Sequence, residues 1–236
     1  MTRAGISSTP AAARTLDLSV APRWLVARFA TEHATASWAI AGGGLGRARA
    51  VAWHQIRDAE LSLEVDAGAL LRERLAGAGL TGAVGLMTSC QLDRYVDITV
   101  RCDEVAARCI ATVGLGNALR AGDPPGAGRV GTINLLCHVD APLSPEAQLE
   151  ALAIAAEARA LAVREALVPS TRSGLPATGT GTDCIVIAAP LGGDAASYAG
   201  KHTAIGHAIG AAVLDAMRQG IERWRRARSE RAEEPR

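Results

Sequence analysis

Six consecutive residues, Thr178, Gly179, Thr180, Gly181, Thr182 and Asp183, alternate small hydroxyls with glycine and end on a carboxylate. Glycine lets backbone N–H groups approach a ligand, and threonine adds a short group that both donates and accepts. Such a run makes poor core and poor linker, so it reads as the wall of a site. Asp183 closes the run just before an apolar stretch, which makes it the leading carboxylate for proton transfer. Its other reading is an Asx-type turn acceptor. His202 can act as acid or base near neutral pH and falls in the first turn of the last expected helix. The positive end of that helix would favour the neutral imidazole; a hydrogen-bonded core histidine is the alternative. Lys201 is either a contact for a polar rim or a solvated surface lysine.

Asn134 follows the strand-like GTI segment and offers a donor and an acceptor to a substrate amide, or else serves a turn. His54 ends the apolar RARAVAW run, where a core or edge histidine competes with a substrate contact. Asn117 and Asp123 read as loop-shaping residues. Two standard nucleotide loops are excluded. Gly200-Lys201 is followed by His202, with Ala195 where a Walker loop needs its first glycine. The TGTGTD run enters a strand, whereas a dinucleotide fingerprint leaves one.

The elements that must position these residues are short β-type runs at 24–29, 37–41, 48–56, 83–87, 109–113, 132–139 and 184–189, with helical patterns at 66–78, 144–167 and 200–228. Strands outnumber helices, and strict β-α-β alternation is not supported. The expected architecture is α/β: a single domain whose mixed β-sheet is covered by long helices. Ser144 and Pro145 open the second helix as N-cap and first position. Its apolar stripe is expected along Leu149, Leu152, Ala153, Ala156, Ala160, Val163 and Leu167. Glu157 falls at the edge of that stripe, about 40° from Ala153. There it can face a protected cleft or turn outward. Residues 1–16 read as a disordered leader, 17–228 as the domain, and 229–236 as a charged tail; fraying is expected from Arg218 onward.

A net charge of +1 and 3% aromatic residues give no footing for nucleic acid. No apolar run approaches the roughly 20 residues of a membrane span. Five cysteines without a CxxC pair argue against zinc and against a disulfide framework, so reduced thiols in a cytoplasmic protein are expected. No metal-binding cluster is visible, and homo-oligomerisation is left open.

Six segments in order, GGGLG at 42–46, VGLMT at 84–88, TVGLGNALRAGD at 112–123, GTIN at 131–134, ATGTGTD at 177–183 and YAGKHT at 198–203, resemble the adenosylcobinamide amidohydrolase family of corrinoid-salvage enzymes. The resemblance covers roughly residues 35–217. It implies hydrolysis of the amide joining aminopropanol to the corrin, giving adenosylcobyric acid, with cobalt carried by the substrate and no protein cofactor. It also adds weight to Glu157 as a third catalytic candidate beside Asp183 and His202. Amide hydrolysis needs an activated nucleophile, a stabilised oxyanion and a proton for the amine. Water activated by a carboxylate or imidazole is preferred, with Thr180 or Thr182 as the alternative nucleophile. On this reading the 178–182 wall, Asn134, His54 and Lys201 contact the corrinoid, and Asp183 and His202 share one cleft. The competing reading is a non-catalytic corrinoid-binding or handover protein.

Overall fold

The computed structural model describes residues 16–61, 65–126 and 131–233; most of the expected leader and the last residues of the tail lie outside them. Along the chain run β1 (Leu16–Ala21), β2 (Trp24–Ser37), β3 (Gly44–Gln55), α1 (Ala67–Gly77), β4 (Val84–Thr88), β5 (Val96–Cys102), β6 (Val105–Val113), β7 (Ala118–Leu119), β8 (Ile133–Val139), α2 (Pro145–Glu165), β9 (Gly179–Thr180), β10 (Cys184–Pro190) and α3 (Ala204–Glu233). Eight strands form one sheet in the order β4-β3-β2-β10-β8-β6-β5, with β1 paired to β2; β7 and β9 make a separate two-stranded ribbon. The β10–β8 and β3–β4 pairs are parallel and the others antiparallel. The expected mixed α/β fold is thus observed. No helix is long and apolar enough to cross a membrane among the described residues.

Alternation along the central strands sorts side chains to two faces. Ile133, Leu135, Cys137 and Val139 of β8, with Ile185, Ile187 and Ala189 of β10, pack into the core beneath α2 and α3. Leu136, Cys184, Val186 and Ala188 face the other way, into a second core closed by β1, β2, β3 and β4. A bulge in β2 between Arg28 and His33 lets that long strand pair first with β1 and then with β10.

Helix α2 starts as its sequence predicts, with the Ser144 hydroxyl accepting from the Ala147 N–H at 3.1 Å. Its buried face, however, is turned away from the expected stripe. Ala147, Ala151, Ile154, Ala155, Ala158 and Ala162 are buried; of the expected stripe Val163 is buried and Leu152 and Ala156 are partly so, while Leu149 and Leu167 are 53% and 72% exposed. Alanine lets α2 lie close against Ala208, Ala212 and Ala216 of α3, and leucines would hold the helices apart. In a helix this rich in alanine, the bulkiest stripe and the packing stripe are different things.

The stretch expected to fray from Arg218 is helical to Glu233. Met217 and Ile221 are buried, Trp224 packs against the core, and the absent side chain of Gly220 lets α3 settle on Val113. Strands β1 and β5 were not expected, and the run expected at 37–41 contributes only Ser37 to a strand.

Candidate active site

The Thr178–Asp183 wall lies where β10 begins, beside the start of β8, because the two strands are parallel with Cys184 opposite Asn134. It is tied down residue by residue. Thr178 donates its N–H to Leu119 O and accepts from Ala121 N, each at 2.9 Å. Gly179 and Thr180 form β9 against β7. Thr182 donates its hydroxyl to Gly131 O at 3.2 Å, and its carbonyl accepts from the Thr132 hydroxyl at 2.8 Å. Gly131 has φ of +148°, and a Cβ there would sit 2.6 Å from the Asn117 nitrogen, so this close crossing admits glycine alone.

Asp183 is the hub of this wall. Its carboxylate accepts from Ile133 N at 3.1 Å, Thr180 N at 2.9 Å, the Thr180 hydroxyl and the Arg159 guanidinium of α2. Each carboxylate oxygen therefore has two donors. The alternation of β10 puts Cys184 on the opposite face, so the Asp183 side chain belongs to the helix side and only 5% of it is exposed. Its backbone carbonyl turns the other way and accepts from the Trp38 indole at 2.6 Å. The geometry is that of the turn-acceptor reading, enlarged into a buried ion pair.

On the opposite face opens a cavity of about 630 Å³. One end is polar, walled by Gly131, Thr132, Asn134, Gly181 and Thr182; the other is apolar, with Trp38, Ile40, Ile56, Leu61 and Met87. Trp38, Ile40 and Leu61 are also among the exposed large hydrophobic side chains, so the apolar end is a mouth rather than a sealed pocket. Asn134 is buried at the polar end and donates to Met87 O at 2.7 Å, which leaves a second amide N–H for another acceptor. Cys184 lines the cavity as well, but burial pushes its thiol up to about 11, so it is un-ionised at neutral pH. Thr88 accepts from Cys90 N at 3.0 Å and stands with Ser89 on the same wall.

His202 is not part of this assembly. The chain after β10 runs to the start of α2, with Ala196 bridging Leu143 and Ala199 N donating to Glu150 at 2.7 Å. Thr203 caps α3 by accepting from Gly206 N at 2.9 Å, so His202 precedes the helix instead of lying in its first turn, and it is exposed. Seven residues of β10 separate this edge from Asp183, about 20 Å at 3.3 Å per residue. No hydrogen bond joins Asp183 and His202 among the described residues, and His202 does not line the cavity that Asp183 borders. Glu157 and Lys201 belong to the His202 end, paired with each other at 2.5 Å with side chains 58% and 64% exposed. His54 is buried on a third site, its ring 4.4 Å from that of Trp24, and does not line the cavity.

Of the residues singled out in the sequence, Asn134, Gly181, Thr182 and Asp183 come together at the cavity, with Thr178, Gly179 and Thr180 buttressing them from behind. Trp38, Ile40, Thr88, Ser89, Thr132 and Arg159 were missed. Thr88 and Thr132 stood inside quoted motifs, and Arg159 was hidden by the misplaced stripe of α2.

The family described as adenosylcobinamide amidohydrolase matches residues 9–229. The adenosylcobinamide amidohydrolase of Halobacterium salinarum is 32% identical over 130 residues, 52% of each chain. The uncharacterized protein MJ1613 of Methanocaldococcus jannaschii is 38% identical over 85 residues, 36% of this chain and 33% of that one. The matches thus span about half of the first relative and a third of the second. The crystal structure of the PH0078 protein from Pyrococcus horikoshii OT3 aligns with a TM-score of 0.46 at 10% identity, over 85% of this chain and 77% of that one.

Proposed function

Because the chain belongs to the adenosylcobinamide amidohydrolase family, we propose that it hydrolyses the aminopropanol amide of adenosylcobinamide, yielding adenosylcobyric acid for corrinoid salvage. The observation that carries this reading is the two-ended cavity. An exposed apolar mouth of Trp38, Ile40 and Leu61 suits the face of a large macrocycle, and the polar end suits the amide of its side arm. In this reading the cobalt belongs to the substrate. The scissile carbonyl lies against the free N–H of Asn134 and the Gly181–Thr182 wall, which bind the oxyanion. Water adds to the carbonyl carbon, the C–N bond breaks, and the departing amine takes a proton. Asp183 holds the wall in place through Thr180 and Ile133, as a positioning residue. The five free thiols support a reducing, cytoplasmic setting.

One observation favours a second reading, that of a non-catalytic corrinoid-binding or handover protein. The Asp183 carboxylate is fully engaged on the other face, and His202 is at the far end of β10. Incubation with adenosylcobinamide, followed by mass spectrometry, separates the two. Appearance of adenosylcobyric acid and aminopropanol supports hydrolysis; tight binding with neither product supports handover.

A further inference from the structure

A second cleft, of about 450 Å³, meets the first along Ser89 and Gly131, which line both. Its walls carry Arg94, Arg223 and Arg228 and no carboxylate. None of these three arginines has an ion-pair partner among the described residues. Two of them are nevertheless held. Arg223 donates through Nη1 to the Tyr95 carbonyl, which leaves its other N–H groups to point elsewhere. Arg228 lies over the Trp224 ring at 5.6 Å, an arrangement that leaves its in-plane donors free.

The geometry points to this cleft as a binding site for a phosphate-class oxyanion. Three guanidinium groups exceed what one carboxylate needs, since a single arginine already satisfies a carboxylate through two parallel bonds. A phosphate presents more acceptor oxygens and more charge, and it matches three arginines. The anion site itself stands apart from the amide-hydrolysis reading. Only the assignment of the phosphate to a corrinoid's aminopropanol arm rests on that reading, through the wall shared by the two cavities.

Calorimetric titration of the full chain with inorganic phosphate and, separately, with 1-aminopropan-2-yl phosphate tests the proposal. Binding is expected for at least one probe, weakened about tenfold or more in Arg223→Gln and in Arg228→Gln. Preference for the aminopropanol ester assigns the phosphate to the substrate arm, whereas equal binding of both assigns the site to free phosphate. Both arginines are at the surface, and unchanged circular dichroism certifies that the variants fold. Lack of heat with both probes at low ionic strength, or binding undiminished in both arginine variants, overturns the proposal. Because neither probe contains a corrin, failure here leaves the result of the hydrolysis assay untouched.

Discussion

The two ends of the parallel β8–β10 pair are built from similar materials and differ in kind. Where the strands begin, segments distant in sequence converge: β4 through Met87, the 131–134 segment and the 178–183 wall, bound by part-buried hydrogen bonds. Where they end, the YAGKHT turn buries Ala199 but exposes Tyr198, Lys201 and His202, and its lysine meets Glu157 in solvent. The turn does have a structural task, since a Cβ on Gly206 would lie 2.6 Å from the Ala199 carbonyl, so turn and helix interlock. Proximity in sequence between Asp183 and His202 therefore says little about proximity in space. A single extended strand between them is enough to give one end the cavity and the other the surface.

The sharpest test of this contrast is removal of the buried ion pair at the first end. Asp183→Ala or Arg159→Ala leaves its partner uncompensated, with side chains only 5% and 16% exposed, and should cost about 3–5 kcal/mol. Denaturant unfolding would measure it. A loss below 1 kcal/mol in both variants would mean that the wall does not depend on this hub.

Next in size is an effect of pH at the other end, on its buried face. His138 Nε2 is 3.1 Å from His33 Nε2, and both rings stack with Phe29. Burial, then the nearby His33 and Arg108, lower the His138 imidazole to about 4, and burial also lowers His33. The folded protein therefore holds fewer protons here than the unfolded chain. This contribution is fully present above pH 6.5 and is lost as pH falls toward about 4, amounting to roughly 3 kcal/mol from His138. Urea midpoints recorded across that window should fall on acidification, and His138→Gln should flatten the slope. An equally steep slope in the variant would place the titrating group elsewhere.

Asn134→Ala addresses the cavity itself. Loss of an oxyanion donor should lower adenosylcobinamide turnover by about 10²-fold. The KM should move less than kcat, because the apolar mouth is intact. An unchanged kcat would detach Asn134 from the reaction.

How far this was legible depended on what each signal measures. The fold class followed from counting strand-like and helical runs, and the Ser144 cap from local chemistry. The polar wall was visible because glycine and threonine repeat where neither core nor linker wants them. The direction of the Asp183 side chain was not, since it depends on the phase of β10 and on Arg159, which sits on a helix whose packing face is alanine. Exposed Leu149 and Leu167 drew the apolar stripe to the wrong side. The apolar mouth was invisible for a related reason: Trp38, Ile40 and Leu61 come from separate segments, and no periodicity links them.

The smallest expected effect is also the one that divides the two ends most cleanly. Lys201→Ala and Glu157→Ala remove a pair whose side chains are mostly in solvent, where such pairs contribute about 0–1 kcal/mol. His202→Ala removes an exposed ring that precedes the α3 cap and leaves the Thr203 bond to Gly206 in place. All three variants should keep their stability within about 0.5 kcal/mol and their turnover within about twofold of the parent chain. The measurement is the same steady-state assay used for Asn134→Ala, run side by side so that expression and folding are matched. A fall of tenfold or more in His202→Ala, with an unfolding midpoint equal to the parent's, would show that the far end reaches the chemistry. Some motion would then have to carry the YAGKHT turn along the length of β10, and the division of labour drawn from the structure would fail.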